Sequence, residues 1–135
     1  MKKYLLDTNI CVYFLNGRFN LEEKFDHIGI ENCFVSEITI AELKYGIARS
    51  SKKEKNRKIV NTFQKKFNII PIFPALDIYA KEKARLKTKG KTVDDFDILI
   101  GATAIYNGLI MVTKNKRHFD RLKGITIEDW TEGSE

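Results

Sequence analysis

Asp7, Glu42 and the closely spaced Asp94, Asp95 and Asp97 are the residues whose types and positions could do chemistry. Asp7 ends the short apolar run Lys3–Leu6, Glu42 follows Thr39-Ile40-Ala41, and the three aspartates open an apolar segment that continues to Asn107. Thr113-Lys114-Asn115 adds polar atoms just after a further apolar run, Leu109–Val112. Carboxylates gathered in one place repel one another unless a cation neutralises them, and hard oxygen ligands select Mg²⁺ or Mn²⁺ over zinc. Metal-dependent phosphodiester cleavage is the chemistry this pattern suggests. Asp97 stands out, because at helical spacing it shares a face with Gly101 and Ala104, small residues expected to leave room beside a carboxylate. Each acid also has a structural alternative. Asp7 can cap the helix that follows it, Glu42 can complete a capping box with Thr39, and Asp94 and Asp95 can complement a helix dipole.

Other reactive arrangements find little support. Cys11 and Cys33 lie in apolar elements, with no Cys or His neighbour at metal-ligand spacing, and read as two buried thiols. His27 and His118 sit on polar segments without a partnered nucleophile motif and are expected at the surface, and no glycine-rich phosphate loop is present. Lys and Arg number 24 against 18 Asp and Glu, a net charge of +6 that favours a polyanionic partner, nucleic acid first. The positive charge is clustered. Arg49–Lys66 holds eight Lys or Arg against Glu54 alone, and Lys81–Lys91 holds six against Glu82 alone. For those stretches a merely solvated helix face is an equal reading. Lys114, Lys116 and Arg117, with Arg121 and Lys123 beyond, lie next to the proposed site, where RNA phosphate contacts would be most useful.

The elements that must position these residues are legible. At 135 residues, 43% hydrophobic and 31% charged, the chain has the length and composition of one folded domain. Ile98–Tyr106, the longest apolar stretch, is about half of the ~20 residues a membrane span needs, and the basic start precedes too short an apolar run for a signal peptide. A cytoplasmic protein with no membrane partner is therefore expected. Strands are predicted at Lys3–Leu6, Cys33–Val35, Ile69–Phe73, Leu109–Val112 and, at an edge, Ile125–Ile127. Helices are predicted at Thr8–Leu15, Leu21–His27, Thr39–Ala48 with Glu42 in its first turn, Lys52–Phe67, Asp77–Lys89, Asp94–Asn107 and Asn115–Leu122. Such alternation implies a parallel sheet covered on both faces, with its ligand crevice beyond the carboxyl ends of the strands.

Four blocks, Leu5-Leu6-Asp7-Thr8-Asn9, Ala41-Glu42-Leu43-Lys44-Tyr45-Gly46, Asp97-Ile98-Leu99-Ile100-Gly101-Ala102-Thr103-Ala104 and Val112-Thr113-Lys114-Asn115, resemble in order those of the PIN domain, over nearly the whole chain. The resemblance is to the VapC branch, ribonuclease toxins of bacterial toxin–antitoxin pairs. The ending Gly124-Ile125-Thr126-Ile127-Glu128-Asp129-Trp130 is similar to members that cut initiator tRNA in the anticodon loop.

That resemblance implies a three-layer α/β/α PIN domain with a central, mostly parallel sheet over residues 1–130, followed by a short polar tail, 131–135. It implies a Mg²⁺-dependent endoribonuclease, with Mn²⁺ able to substitute. Asp7 and Asp97 would hold the metal, Glu42 would orient or deprotonate the attacking water, and Asn9, Thr113 and Asn115 would form the polar surround. It further implies a VapB-type antitoxin and a homodimer. Asn115 departs from the pattern, since many PIN domains carry an acid there, and this leaves one or two metal ions open. The alternatives are a non-catalytic nucleic-acid-binding or regulatory PIN module and a Mg²⁺-binding receiver-type signalling domain. The latter needs an acid pair after the first strand, where this chain has only Asp7.

Overall fold

A computed structural model describes residues 2–132. Five parallel strands, β1 (Tyr4–Leu6), β2 (Cys33–Ser36), β3 (Asn68–Ile70), β4 (Ile110–Val112) and β5 (Ile127–Glu128), form one sheet in the order β3-β2-β1-β4-β5. Between β1 and β2 run α1 (Thr8–Leu15) and α2 (Leu21–Ile28), and between β2 and β3 run α3 (Glu37–Ala48) and α4 (Lys53–Lys66). The chain then jumps back across β1 through α5 (Leu76–Thr88) and α6 (Asp95–Asn107) to reach β4, and α7 (Lys116–Phe119) leads toward β5. Strand order thus reverses between β1 and β4, the position where open parallel sheets carry their ligand crevice.

The strands are only two to four residues long, so their alternation decides which side chains meet which layer. Tyr4, Leu6, Cys33, Val35 and Val112 turn to one face and pack under α1–α4. Leu5 and Met111 turn to the other, with Phe34 partly buried beside them, and pack under α5, α6 and α7. The result is the expected three-layer α/β/α sandwich. On the first face an aromatic cluster fills the core: Phe25 meets Phe14 at 4.8 Å, Phe67 at 5.5 Å and Trp130 at 5.8 Å between ring centroids. Such tilted and edge-to-face pairs contribute beyond the area they bury. Cys11 and Cys33 are buried free thiols within this core.

Several local expectations are corrected. Helix α3 starts at Glu37, because the Ser36 hydroxyl accepts from Ile38 N–H at 3.0 Å and caps it. Thr39 and Glu42 therefore lie inside the helix and form no capping box, and Glu42 stands in the second turn rather than the first. The predicted strand Ile69–Phe73 shortens to β3, since Pro74 opens a 3₁₀ turn at Phe73–Ala75. The predicted helix Asn115–Leu122 keeps only α7, and the edge strand moves to Ile127–Glu128. At the chain end, Thr131 is buried and donates through N–H and Oγ1 to Asp129 Oδ1 at 2.8 and 2.6 Å. The remainder of the expected tail, 133–135, falls outside the described residues.

The segment after α7 is held by a clamp that periodicity does not reveal. Glu82 on α5, nearly buried, accepts from Arg85 at 2.9 and 2.8 Å and from Lys123 N–H at 2.6 Å, while Arg85 also donates to the Arg121 carbonyl at 2.6 Å. Leu122 is thereby pressed into α6, where a side chain on Gly101 would collide with its Cδ1 and touch Phe119 and Ile125. Gly101 is small because another chain segment packs there, not because it leaves space beside Asp97. Gly101→Ala is accordingly expected to cost about 1–3 kcal/mol through overpacking. Gly46→Ala, a helix position with open space around it, should instead gain up to ~1 kcal/mol. Opposite shifts in Tm of the two variants check this; equal shifts would mean that the 119–125 segment yields freely.

Candidate active site

Asp7 leaves β1 at its carboxyl end, directly beside β4. Its backbone N–H donates to Val112 O at 2.9 Å, and its carboxylate Oδ2 accepts from Thr113 Oγ1 at 2.8 Å. The same hydroxyl oxygen accepts from Asn115 N–H at 2.9 Å, so Thr113 is fixed on both sides. Although Asp7 occupies the N-cap position of α1, its side chain makes no capping bond there. The capping alternative therefore fails for this residue. Burial, opposed by the Thr113 hydroxyl and reinforced by the negative charges of Asp97 and Glu42, pushes the Asp7 carboxyl up to about 6.

Helix α6 sorts its three aspartates by role. Asp94 caps the helix by accepting from Phe96 N–H at 3.1 Å, and Asp95 takes Lys83 at 2.9 Å and the Tyr79 hydroxyl at 3.0 Å. Both are thus engaged in holding the helix, in line with the structural alternative for these two acids. Asp97, half-buried one turn from the cap, is the one whose charge Asp7 feels; burial raises its pKa, and the nearby His118 works against that rise. His118 Nδ1 lies 3.4 Å from Asp97 Oδ2, buried and, among the described residues, without an aligned hydrogen bond. The ring itself remains 44% exposed, so the surface expectation for His118 is right in area and incomplete in contact. Sequence spacing gives no sign of this pairing, because it depends on how the clamp at Glu82 sets the loop after β4.

Glu42 reaches the same place from α3. Its Oε1 accepts from Thr8 Oγ1 at 2.7 Å, and Thr8 Oγ1 lies 3.0 Å from Thr39 Oγ1. With the Thr8 hydrogen committed to Glu42, the buried Thr39 hydroxyl must donate to Thr8, a short relay that fixes the Glu42 carboxylate. Thr8 and Thr39 are thus positioning residues that local sequence pattern does not reveal; the first follows Asp7 directly, and the second fits a capping box equally well. Asn9, two residues after Asp7, and Lys114, Asn115, Lys116 and Arg117, directly after Thr113, are all exposed. Asn9 lies in the first turn of α1, and Asn115 enters the bonded set only through its backbone.

A divalent ion fits this chemistry. Two carboxylates whose negative charges act on one another, one of them buried with a raised pKa, are stabilised by a hard cation. Among the described residues no three His, Cys, Asp or Glu side chains form a ready cage. An ion held here would therefore keep water among its ligands, as Mg²⁺ does when it binds through one or two carboxylates.

Residues 4–125 match the PIN domain family. The chain belongs to the PIN-domain family. The tRNA(fMet)-specific endonuclease VapC of Shigella flexneri is 32% identical over 133 residues, covering 97% of this chain and 100% of that protein. Ribonuclease VapC2 of Haemophilus influenzae is 36% identical over 132 residues, covering 96% and 99%. These relatives place the chain in the VapC branch. The crystal structure of DNA-bound VapBC from Salmonella typhimurium contains a chain that superposes with a TM-score of 0.90 at 34% identity, covering 96% of this chain and 99% of that one. A receiver-type domain is thereby excluded, in keeping with the strand order and the lone acid after β1. No helix among the described residues is long and apolar enough to cross a membrane.

The raised pKa of Asp7 makes a signed prediction for this PIN domain without metal. Because the folded pKa of about 6 lies above the ordinary value of 3.8, the folded state binds the extra proton. The stability that Asp7 permits is full at low pH and falls as pH rises through about 6. Asp7→Asn keeps an acceptor for Thr113 and removes the charge. Above about pH 7 it should stabilise the metal-free protein by on the order of 2–3 kcal/mol, a gain that disappears below about pH 4. Thermal melts in EDTA across that range test this; an Asn variant less stable at every pH would make Asp7 a structural residue.

Proposed function

We propose that this protein is the toxin of a bacterial toxin–antitoxin pair and acts as a Mg²⁺-dependent endoribonuclease. The observation that carries the reading is the buried Asp7 carboxylate, held by Thr113 at the strand-order switch and loaded with the negative charge of Asp97 and Glu42. Asp7 and Asp97 hold the ion, with Mn²⁺ as an acceptable substitute. When bound, it neutralises the carboxylates, polarises the phosphate and makes water a better nucleophile. Glu42, fixed by Thr8, orients the attacking water and takes its proton, while Thr113 keeps Asp7 aimed into the crevice. Asn9 and Asn115 belong to the polar surround; Asn115 offers only a neutral carbonyl, so a single ion suffices for this reading. Lys114, Lys116 and Arg117 line the approach for the RNA backbone.

Relatives named as tRNA(fMet)-specific endonucleases and solved VapBC complexes support a tRNA substrate and a VapB-type antitoxin partner; a cut in the anticodon loop and a homodimer belong to the same reading. Carboxylates poised for a cation are also suited to an arginine inserted by such an antitoxin, which would bring its own charge to the same oxygens. The acidic centre works in the cytoplasm, where RNA is available.

Incubation with total RNA, with Mg²⁺ and with EDTA, followed by mapping of the ends, is the direct experiment. Attack by water with departure of the 3′ oxygen gives a 5′-phosphate and a 3′-hydroxyl, and a 2′-deoxy substitution at the cut position should slow cleavage little. A 2′,3′-cyclic phosphate would overturn this mechanism. Asp7→Asn and Asp97→Asn are each expected to abolish the Mg²⁺-dependent activity without loss of fold. Glu42→Gln, which can accept a hydrogen bond but not a proton, should lower kcat roughly 10²- to 10⁴-fold; wild-type turnover in that variant would remove Glu42 from the chemistry.

A further inference from the structure

Beside the acidic centre the chain builds a second arrangement. Lys114 follows Thr113, whose hydroxyl is bound to Asp7, so its backbone is anchored at the carboxyl end of β4. Its ammonium lies 5.0 Å from the centroid of the Phe19 ring and 5.8 Å from that of Tyr13. The Arg18 guanidinium, which has further partners of its own, lies over the same rings at 4.7 and 5.2 Å. The two rings meet edge to face, 5.0 Å apart. Phe19 and Asn20 carry consecutive positive φ values of 60° and 53°, a backbone conformation that a bulky aromatic seldom adopts. That turn, between α1 and α2, brings the nearly buried Phe19 ring to the cations.

An exposed lysine ordinarily samples many rotamers, and its charge is spread over a wide volume. Here the ring pair restrains it by cation–aromatic attraction. The restraint lies next to carboxylates that repel a polyanion, where a fixed positive charge is most useful to an incoming strand.

We infer that Lys114, held by the Tyr13–Phe19 ring pair, grips an RNA backbone phosphate next to the one being cut, and that Phe19 is a positioning residue acting through Lys114. The inference rests on the reading of the acidic centre as one that cleaves RNA. Its ligand is the sugar–phosphate backbone of a single-stranded segment, so it governs affinity and register rather than base identity.

The test uses a fluorescein-labelled initiator-tRNA anticodon stem–loop. Binding is measured in EDTA over a range of salt, and cleavage kinetics are measured with Mg²⁺. Lys114→Gln should weaken binding about tenfold and reduce the salt slope by about one, with KM rising more than kcat falls. Lys114→Arg should restore most of the loss, since a guanidinium also stacks on rings. Phe19→Leu keeps an apolar side chain in place but lacks the ring; it should weaken binding in the same direction, and the double variant should bind no worse than Lys114→Gln alone. Tyr13→Leu supplies the same arm if Phe19→Leu fails to fold. Unchanged binding and salt slope in Lys114→Gln would overturn the inference, as would losses from Phe19→Leu that add in full to those from Lys114→Gln. A wild-type protein that binds this RNA and cuts none would defeat the nuclease reading, while the binding measurements would still decide the role of Lys114.

Discussion

Keeping the Asp7 carboxylate out of water at the seam between β1 and β4 is the constraint from which the rest of this molecule follows. A buried carboxylate needs a donor, and Thr113 supplies one across the seam at 2.8 Å. That bond forms only if the two strands pair with Leu6 beside Val112, which in turn places Leu5 and Met111 together against the opposite layer. A slip of one residue by either strand would put Leu6 and Val112 on opposite faces of the sheet and carry Asp7 away from its donor. Packing and polar satisfaction thus select the same register.

The neighbouring elements contribute by relieving acids of other duties. Ser36 caps α3, which leaves Glu42 to Thr8; Asp94 and Asp95 are engaged by Phe96 N–H and by Lys83 with Tyr79, which leaves Asp97 facing Asp7. The positive residues divide in the same way. Arg85 and Arg121 hold the chain against α5 and the Thr92 carbonyl, whereas Lys114, Lys116 and Arg117 stay at the surface around the centre. The centre is thus acidic where it is buried, and the exposed residues that follow Thr113 are basic, a combination suited to a ligand that is itself an anion.

The layers and the parallel sheet are readable because each has a local signature, apolar runs of the right period, and Asp7 is marked by its place just after the first of them. The failures have a common physical origin. A capping box at Thr39–Glu42 fits the local pattern as well as a cap at Ser36 does, and only the position of β2 decides between them. Gly101 beside Asp97 suggested space, yet the space is taken by Leu122, brought there by Glu82 from 40 residues away in the chain. His118 meets Asp97 for the same reason. The Tyr13–Phe19 pair has no sequence signal, because Phe19 itself takes a left-handed backbone that a bulky aromatic seldom adopts.

The Asp7–Thr113 bond joins residues 106 positions apart. A chain emerging from the ribosome therefore exposes Asp7 well before β4 and the threonine after it, which complete the carboxylate's setting, have been made. Every shorter nascent chain has the acid without its donor and without the strand that walls the crevice. The acidic centre of this PIN domain is therefore completed only after nearly the whole sheet has been made.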